Sequence, residues 1–211
     1  MKPIIVALTC LAATVAAQSS PPWYDVQSSA FRLILKSDND TYDGHALGAC
    51  HQGAAVEGLC LTGDTIDDPA VSYTTFYHNV SSSENATVNA NDTLGVLNYI
   101  LTIGGGINVP SAMKFSQSPG SNIADPIFSP GWDDFTPIAF DEECGSAYIP
   151  IYQDDTVSPP SYYNPTLKLK NWYICLTRFS YLYTTLVYKF GVTGEPQNPT
   201  CVAVEVVRVW V

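Results

Sequence analysis

Phe31-Arg-Leu-Ile-Leu-Lys36 decides the fold class. In an extended chain Phe31, Leu33 and Leu35 fall on one face, and Arg32, Ile34 and Lys36 on the other. That period-two alternation marks a half-buried strand. Residues 200–211 repeat it, setting Cys201, Ala203, Glu205, Val207 and Val209 against Val202, Val204, Val206, Arg208 and Trp210. Both of its faces are largely apolar, as in a central strand covered on both sides. Residues 47–50 and 56–61 read as short strands joined by a Gly/Ala loop, and residues 71–78, aromatic and β-branched, as another. Residues 93–103 suit strand or short helix by pattern; β-branching and the stop at Gly104-Gly-Gly106 favour strand. Further strands are expected at 113–117, 148–153, 166–179 and 183–190. Between them, 118–135 and 154–165 are rich in Pro and read as long loops. Lys, Glu and Ala stretches at helical spacing are missing. About ten short strands with turn residues between them predict an all-β chain, either a sandwich or a closed barrel. The preferred form is a single-domain, jelly-roll-like β-sandwich stapled by disulfides.

The first seventeen residues are of a different kind. Lys2 is followed by an apolar run over 4–16 broken only by Thr9, Cys10 and Thr14, and Val15-Ala16-Ala17 precedes polar Gln18-Ser19-Ser20. This is the build of a secretory signal peptide, residues 1–17, cut after Ala17. Residues 18–29, with Pro21-Pro22, are expected to form a flexible lead-in, and 30–211 the single β-rich domain. The expected location is extracellular, where cysteines pair and Asn-x-Ser/Thr sites accept sugar. The formal net charge is −11, with no basic patch, which argues against nucleic acid or an anionic membrane as partner. No later apolar run approaches a membrane span.

Cys10 leaves with the signal, so Cys50, Cys60, Cys144, Cys175 and Cys201 remain. An odd count leaves one thiol free or bonded to another chain. Cys50 and Cys60 flank a small-residue loop that suits a short bridge. Cys175 and Cys201 lie in strand-like segments and suit a cross-strand one. Cys144, in Asp141-Glu-Glu-Cys144, is the candidate for the unpaired thiol and for an intermolecular disulfide. Its carboxylate neighbours disfavour the thiolate and so a nucleophilic role. Sequons stand open at Asn39, Asn79, Asn85 and Asn91, whereas Asn164 and Asn198 precede proline. Three of the four fall in 79–93, an expected glycan-covered loop unsuited to an interface.

Several motifs invite a chemical reading. Asp38-Asn-Asp-Thr-Tyr-Asp-Gly44 resembles a calcium loop in Asp38, Asp40 and Asp43, but the third acid and the Gly come one residue late. A turn capped by Asp and Asn side chains explains it equally well. No other cofactor is indicated. Asp133, Asp134, Asp141, Glu142 and Glu143 form the densest acidic group; a solvated rim is the favoured reading, with Glu142 a weak catalytic candidate. Glycoside hydrolysis needs two carboxyl groups on opposite sides of the sugar. Glu57, beside His51, and Glu205, inside an apolar strand, are the candidates for it. For Glu205 an ion pair with Arg32, Arg178 or Arg208 is favoured over catalysis. There is no Gly-x-Ser-x-Gly elbow and no phosphate loop. Trp23, Trp132, Tyr162 and Tyr163 are placed in loops, where flat rings would stack on a sugar.

Five segments carry a resemblance: Phe31-Arg-Leu-Ile-Leu-Lys-Ser-Asp-Asn39, residues 47–60, Asp154-Asp-Thr-Val-Ser-Pro-Pro160, Trp172-Tyr-Ile-Cys175 and Pro196-Gln-Asn-Pro-Thr-Cys201. Together they resemble an uncharacterised domain family of secreted filamentous-fungal proteins, across nearly the whole mature chain. The resemblance implies a fungal extracellular origin and Cys50, Cys60, Cys175 and Cys201 as the disulfide framework. It implies no activity.

The expectation is therefore a secreted, extracellular or cell-wall-associated glycoprotein. Its leading role is non-catalytic binding of polysaccharide or a surface, and the reading leans away from an enzyme. The alternatives are a glycoside-active hydrolase with paired carboxylates and a secreted effector that binds a host or competitor protein.

Overall fold

The computed structural model describes residues 24–84 and 87–211. The expected signal segment, Trp23 and Asn85 lie outside the described residues. Fifteen strands follow one another: β1 (Val26–Gln27), β2 (Phe31–Lys36), β3 (His45–Gly53), β4 (Val56–Thr65), β5 (Phe76–Val80), β6 (Gly95–Ile103), β7 (Ile107–Gln117), β8 (Ile123–Pro130), β9 (Ala139–Phe140), β10 (Ala147–Asp154), β11 (Ser161–Leu169), β12 (Trp172–Arg178), β13 (Leu182–Lys189), β14 (Val202–Ala203) and β15 (Glu205–Trp210). Among the described residues there is no α-helix.

The main sheet runs β1-β5-β6-β7-β8-β13-β4-β3-β2-β15, with β12 added on β13 and β14 on β12. Phe31 pairs with Phe76 and so joins β2 to β5. The run from β5 to β2 thereby closes into an eight-stranded barrel. A barrel joins the strand edges that a sandwich leaves open, so the ladder does not support the jelly-roll-like sandwich. A separate three-stranded sheet, β11-β10-β9, lies beside it.

Alternate residues turn inward and form one core: Phe31, Leu33 and Leu35 with Leu47, Leu59, Phe76, Leu97, Met113, Phe128 and Leu186. Each large side chain sealed there contributes about 1.5–3 kcal/mol. An interior void bounded by Leu33, Leu59, Met113 and Trp172 measures about 10 Å³, no more than one water needs. The barrel is filled at this point, unlike those that enclose a ligand.

Long-range packing changes four local expectations. Arg32 and Ile34, expected to face solvent, are buried: the Arg32 guanidinium donates to the carbonyls of Thr65, Ile66 and Asp68 and draws that turn over β2. The last strand is not central, since β15 ends the sheet path beyond β2; an isolated bridge from Ser146 to Val207 shields its outer side. Residues 118–135, expected as a loop, contain β8. Pro126 is tolerated there because β8 changes partner around it, pairing with β13 at Ile123 and Ala124 and with β4 at Ile127 and Phe128. The lead-in is strand at Val26–Gln27, paired with Val80 and Asn79. The two disulfides are Cys50–Cys60 and Cys175–Cys201, and Cys144 is free and exposed, as expected.

Strands β5 and β6 meet closely at Gly95, where an added Cβ would lie 2.4 Å from the Asn79 carbonyl oxygen and 2.6 Å from His78 Nε2. Both neighbours are buried, so neither has room to move. Gly95→Ala is expected to cost about 2–3 kcal/mol in urea unfolding, while Gly120→Ala, with nothing within 4 Å, stays near wild type. His78 is sealed, and Nε2 donates to the Ile138 carbonyl at 3.1 Å. Burial lowers its pKa from 6.5 to about 4. The unfolded chain therefore takes up the proton first. The stabilisation is complete above pH 6.5, and about 3 kcal/mol is lost as pH falls to 4. His78→Gln is expected to flatten that part of the pH–stability curve in chemical denaturation.

Candidate binding site at one end of the barrel

The hairpin of β3 and β4 places His51 directly opposite Glu57. Both share the inward parity of Leu47 and Leu59, one step beyond the end of the core. His51 Nδ1 stands 3.8 Å from Glu57 Oε1. Burial raises the Glu57 pKa, and His51 only partly offsets it. The Cys50–Cys60 bridge braces the hairpin from its other face, where a Cβ on Gly58 would meet Cys50 Sγ at 3.2 Å.

A second hairpin, β12–β13, leans onto the first. Gln52 is 1 % exposed, and its Oε1 accepts the N–H groups of Ser180 and Tyr181 at 3.2 and 3.1 Å. That clamp sets Tyr181 over His51, ring centroids 5.6 Å apart, with Tyr183 6.4 Å further on. Tyr181, Tyr183 and Phe179 are all exposed. The result is a row of rings held on two braced hairpins, with one half-buried carboxyl at its base. Rings of this kind stack on apolar faces, and the carboxyl accepts hydrogen bonds.

The expected site residues are scattered. Glu57 and Glu205 lie at opposite ends of the barrel: Glu205 pairs with Lys36 beyond the Ile34–Ala46 pair, whereas Glu57 pairs with His51 at the far end of β3. That is roughly 20 Å along the strands, against the ~5–10 Å that glycoside hydrolysis requires. Glu205 does find a cation, but it is Lys170 at 3.4 Å and none of the three arginines. Lys170 also meets Asp141 at 2.5 Å, and Cys144 Sγ donates to Asp141 at 3.1 Å. Burial would raise Asp141, yet Lys170 and the Cys144 donors outweigh it and hold the carboxyl well below its usual range. A hydrogen bond from Ser146 leads in lowering Glu205. Both acids are therefore ionised, which unsuits either as a proton donor. Glu142 is exposed.

Trp132 is 8 % exposed and packs with Val96 and Ala112, so it offers no platform: the expectation for this residue is corrected. Tyr162, 82 % exposed, and Tyr163 lie on the edge strand β11 rather than in a loop. Asp38, Asp40 and Asp43 are exposed, and Asp43 Oδ1 caps the Ser37 N–H at 3.0 Å, as in the turn capped by Asp and Asn side chains. Among the described residues no group of three His, Cys, Asp or Glu is arranged to hold a metal ion, and no helix is long and apolar enough to cross a membrane. Asn79 is 2 % exposed and its Nδ2 donates to the Tyr24 carbonyl. Sugar there is incompatible with this packing, which removes one expected glycan site. Tyr181, Tyr183 and Gln52 were not singled out by sequence reasoning; the only hint is the aromatic run Phe179-Ser-Tyr-Leu-Tyr183, which spans the β12–β13 turn and the start of β13.

The chain matches a domain of unknown function (DUF7907) over residues 28–210 and belongs to that family. No curated protein and no solved structure matches it.

The Glu57 pKa is raised in the fold, so above the unfolded value of 4.5 ionisation of this carboxyl opposes folding. Glu57→Gln is expected to raise the melting temperature at pH 7. The gain should vanish below pH 4.5, where the wild-type carboxyl is protonated in both states; scanning calorimetry at the two pH values checks it.

Proposed function

We propose that the protein is a secreted, non-catalytic glycoprotein of fungal origin that binds neutral polysaccharide on an extracellular or cell-wall surface through Tyr181 and Tyr183. The observation that carries this reading is the exposed ring row His51–Tyr181–Tyr183, pre-set by the Gln52 clamp. Rings ordered before binding lose little freedom on binding. Glu57 at the base accepts hydroxyl hydrogen bonds from a sugar stacked above it. The two disulfides suit an oxidising compartment, and the segment 1–17 suits export. Exposed Cys144 leaves a thiol open to a second chain.

The hydrolase reading has less support, since its carboxylates stand apart or are held ionised. Nothing in the geometry selects a protein partner for an effector.

The test is retention of the purified mature protein on insoluble polysaccharides, with released sugar assayed in the same tubes. Retention without release is expected, little changed by salt because the polysaccharide is neutral and forms no ion pair with the protein. Tyr181→Ala should weaken it about tenfold, the scale of one lost stacking contact. Trp132→Ala should lower the melting temperature instead. Retention unaffected by removing both Tyr181 and Tyr183 would sink the proposed site, and sugar release would favour the hydrolase.

A further inference from the structure

Asn91-Asp92-Thr93 is a sequon held rigidly on the barrel. Asp92 takes the left-handed backbone conformation at φ 49°, and its N–H donates to the Phe140 carbonyl at 2.7 Å. Behind it lies Arg208, 7 % exposed, its guanidinium carbon 4.5 Å from the Phe140 ring centre and 4.3 Å from that of Trp210. Arg208 Nη2 donates to Asn91 Oδ1. A guanidinium has no acceptor, so the amide oxygen of Asn91 must face it. Nδ2, the atom that carries an N-linked sugar, then turns outward, and Asn91 is exposed.

The next two residues enter the wall of an open groove of about 490 Å³, shared with Tyr148, Tyr152, Thr166 and Lys168. Tyr148 Oη and Lys168 Nζ both donate to Asp92 Oδ1, at 2.7 and 2.5 Å. Acid and cation neutralise each other, so the groove carries no net charge in an otherwise acidic protein. Tyr152 is 56 % exposed. A ring, a hydroxyl, an acceptor and a donor around an uncharged hollow match a neutral sugar that bears an amide.

We propose that this groove seats the N-glycan of Asn91. The first N-acetylglucosamine units lie in it, an apolar face on Tyr152, with hydroxyl and acetamido groups bonded to Asp92, Thr166 and Lys168. The inference rests on the glycoprotein reading above. Tethering makes weak contacts sufficient, because a ligand fixed at the rim has an effective concentration on the order of millimolar. The concavity beside Asn39 differs: Asp38, Asp43 and Glu205 line it, and no aromatic ring does. A glycan at Asn39 is the unseated comparison.

The experiment takes the full chain secreted from a eukaryotic host and treats it with endoglycosidase H, native and denatured. Release at each site is followed by peptide mass spectrometry. At Asn91 native release is expected to be at least about tenfold slower than denatured release, a protection larger than at Asn39. Tyr152→Ala and Thr166→Val, both on the groove surface, should each remove most of that protection while the melting temperature holds. Native release at Asn91 as fast as at Asn39, or protection unchanged in both variants, overturns the seat and leaves the glycoprotein reading standing. Absence of sugar at Asn91 overturns the seat, and absence at Asn39 and Asn85 as well overturns the glycoprotein reading itself.

Discussion

The structure depends on one backbone pairing, Phe31 with Phe76, which closes the sheet. Both side chains are fully buried, Phe76 stacked on Phe128 at 5.7 Å and Phe31 edge-on to Phe140 at 5.5 Å. Closure has two consequences. It satisfies strand edges that would otherwise invite pairing with another chain. It also gives the molecule two distinct ends. The β3–β4 hairpin turn and the tip of β12–β13 meet at one, with the ring row. Lys36, Glu205 and Lys170 lie at the other.

Closure leaves long connections to be held down, and the few cations do this. Arg32 binds the carbonyls of Thr65, Ile66 and Asp68, and Lys189 those of Thr193 and Gly194, at 2.8 and 2.9 Å. Arg208 binds the Asn91 amide oxygen. All three are buried, and in each the charge is met by neutral oxygens rather than a carboxylate. A buried charge needs such partners to be tolerated at all. Of the remaining basic residues, Lys114, Lys168 and Lys170 pair with Asp134, Asp92 and Asp141. The net charge of −11 is the excess of 20 acidic over 9 basic residues, and three of those bases are buried against neutral oxygens. Lys170 is the instructive case. Its ammonium sits among Asp141, Glu205 and Cys144, where a metal would otherwise be sought.

Much of the strand pattern was legible because alternation is local: Phe31 to Lys36, Gly95 to Ile103 and Glu205 to Trp210 are all strands. Loop expectations failed where proline misled. Pro126 and Pro130 lie in β8, and Pro165 in the edge strand β11, because proline costs a ladder bond only where a partner stands on its N–H side. Of the candidate site, Glu57 beside His51 could be read from the turn between Cys50 and Cys60. Tyr181 could not, because its place over His51 depends on its N–H bond to Gln52, some 130 residues earlier in the chain. Trp132 misled for the same reason in reverse: its neighbours suggested a loop, and Val96 and Ala112 bury it.

The sequence by itself determined an all-β chain, an odd cysteine count with Cys144 as the one expected to be left over, the sequons and the acidic charge. These follow from residue type and short spacing, which the chain carries before it folds. Only the tertiary structure decided that the sheet closes, that Glu57 and Glu205 stand at opposite ends, and which of the aromatic rings and sequon asparagines remain exposed. Register and closure are set by pairing between distant strands, and a one-residue slip would turn every side chain to the opposite face. Burial follows from that pairing, and with it the chemistry each residue has left to offer.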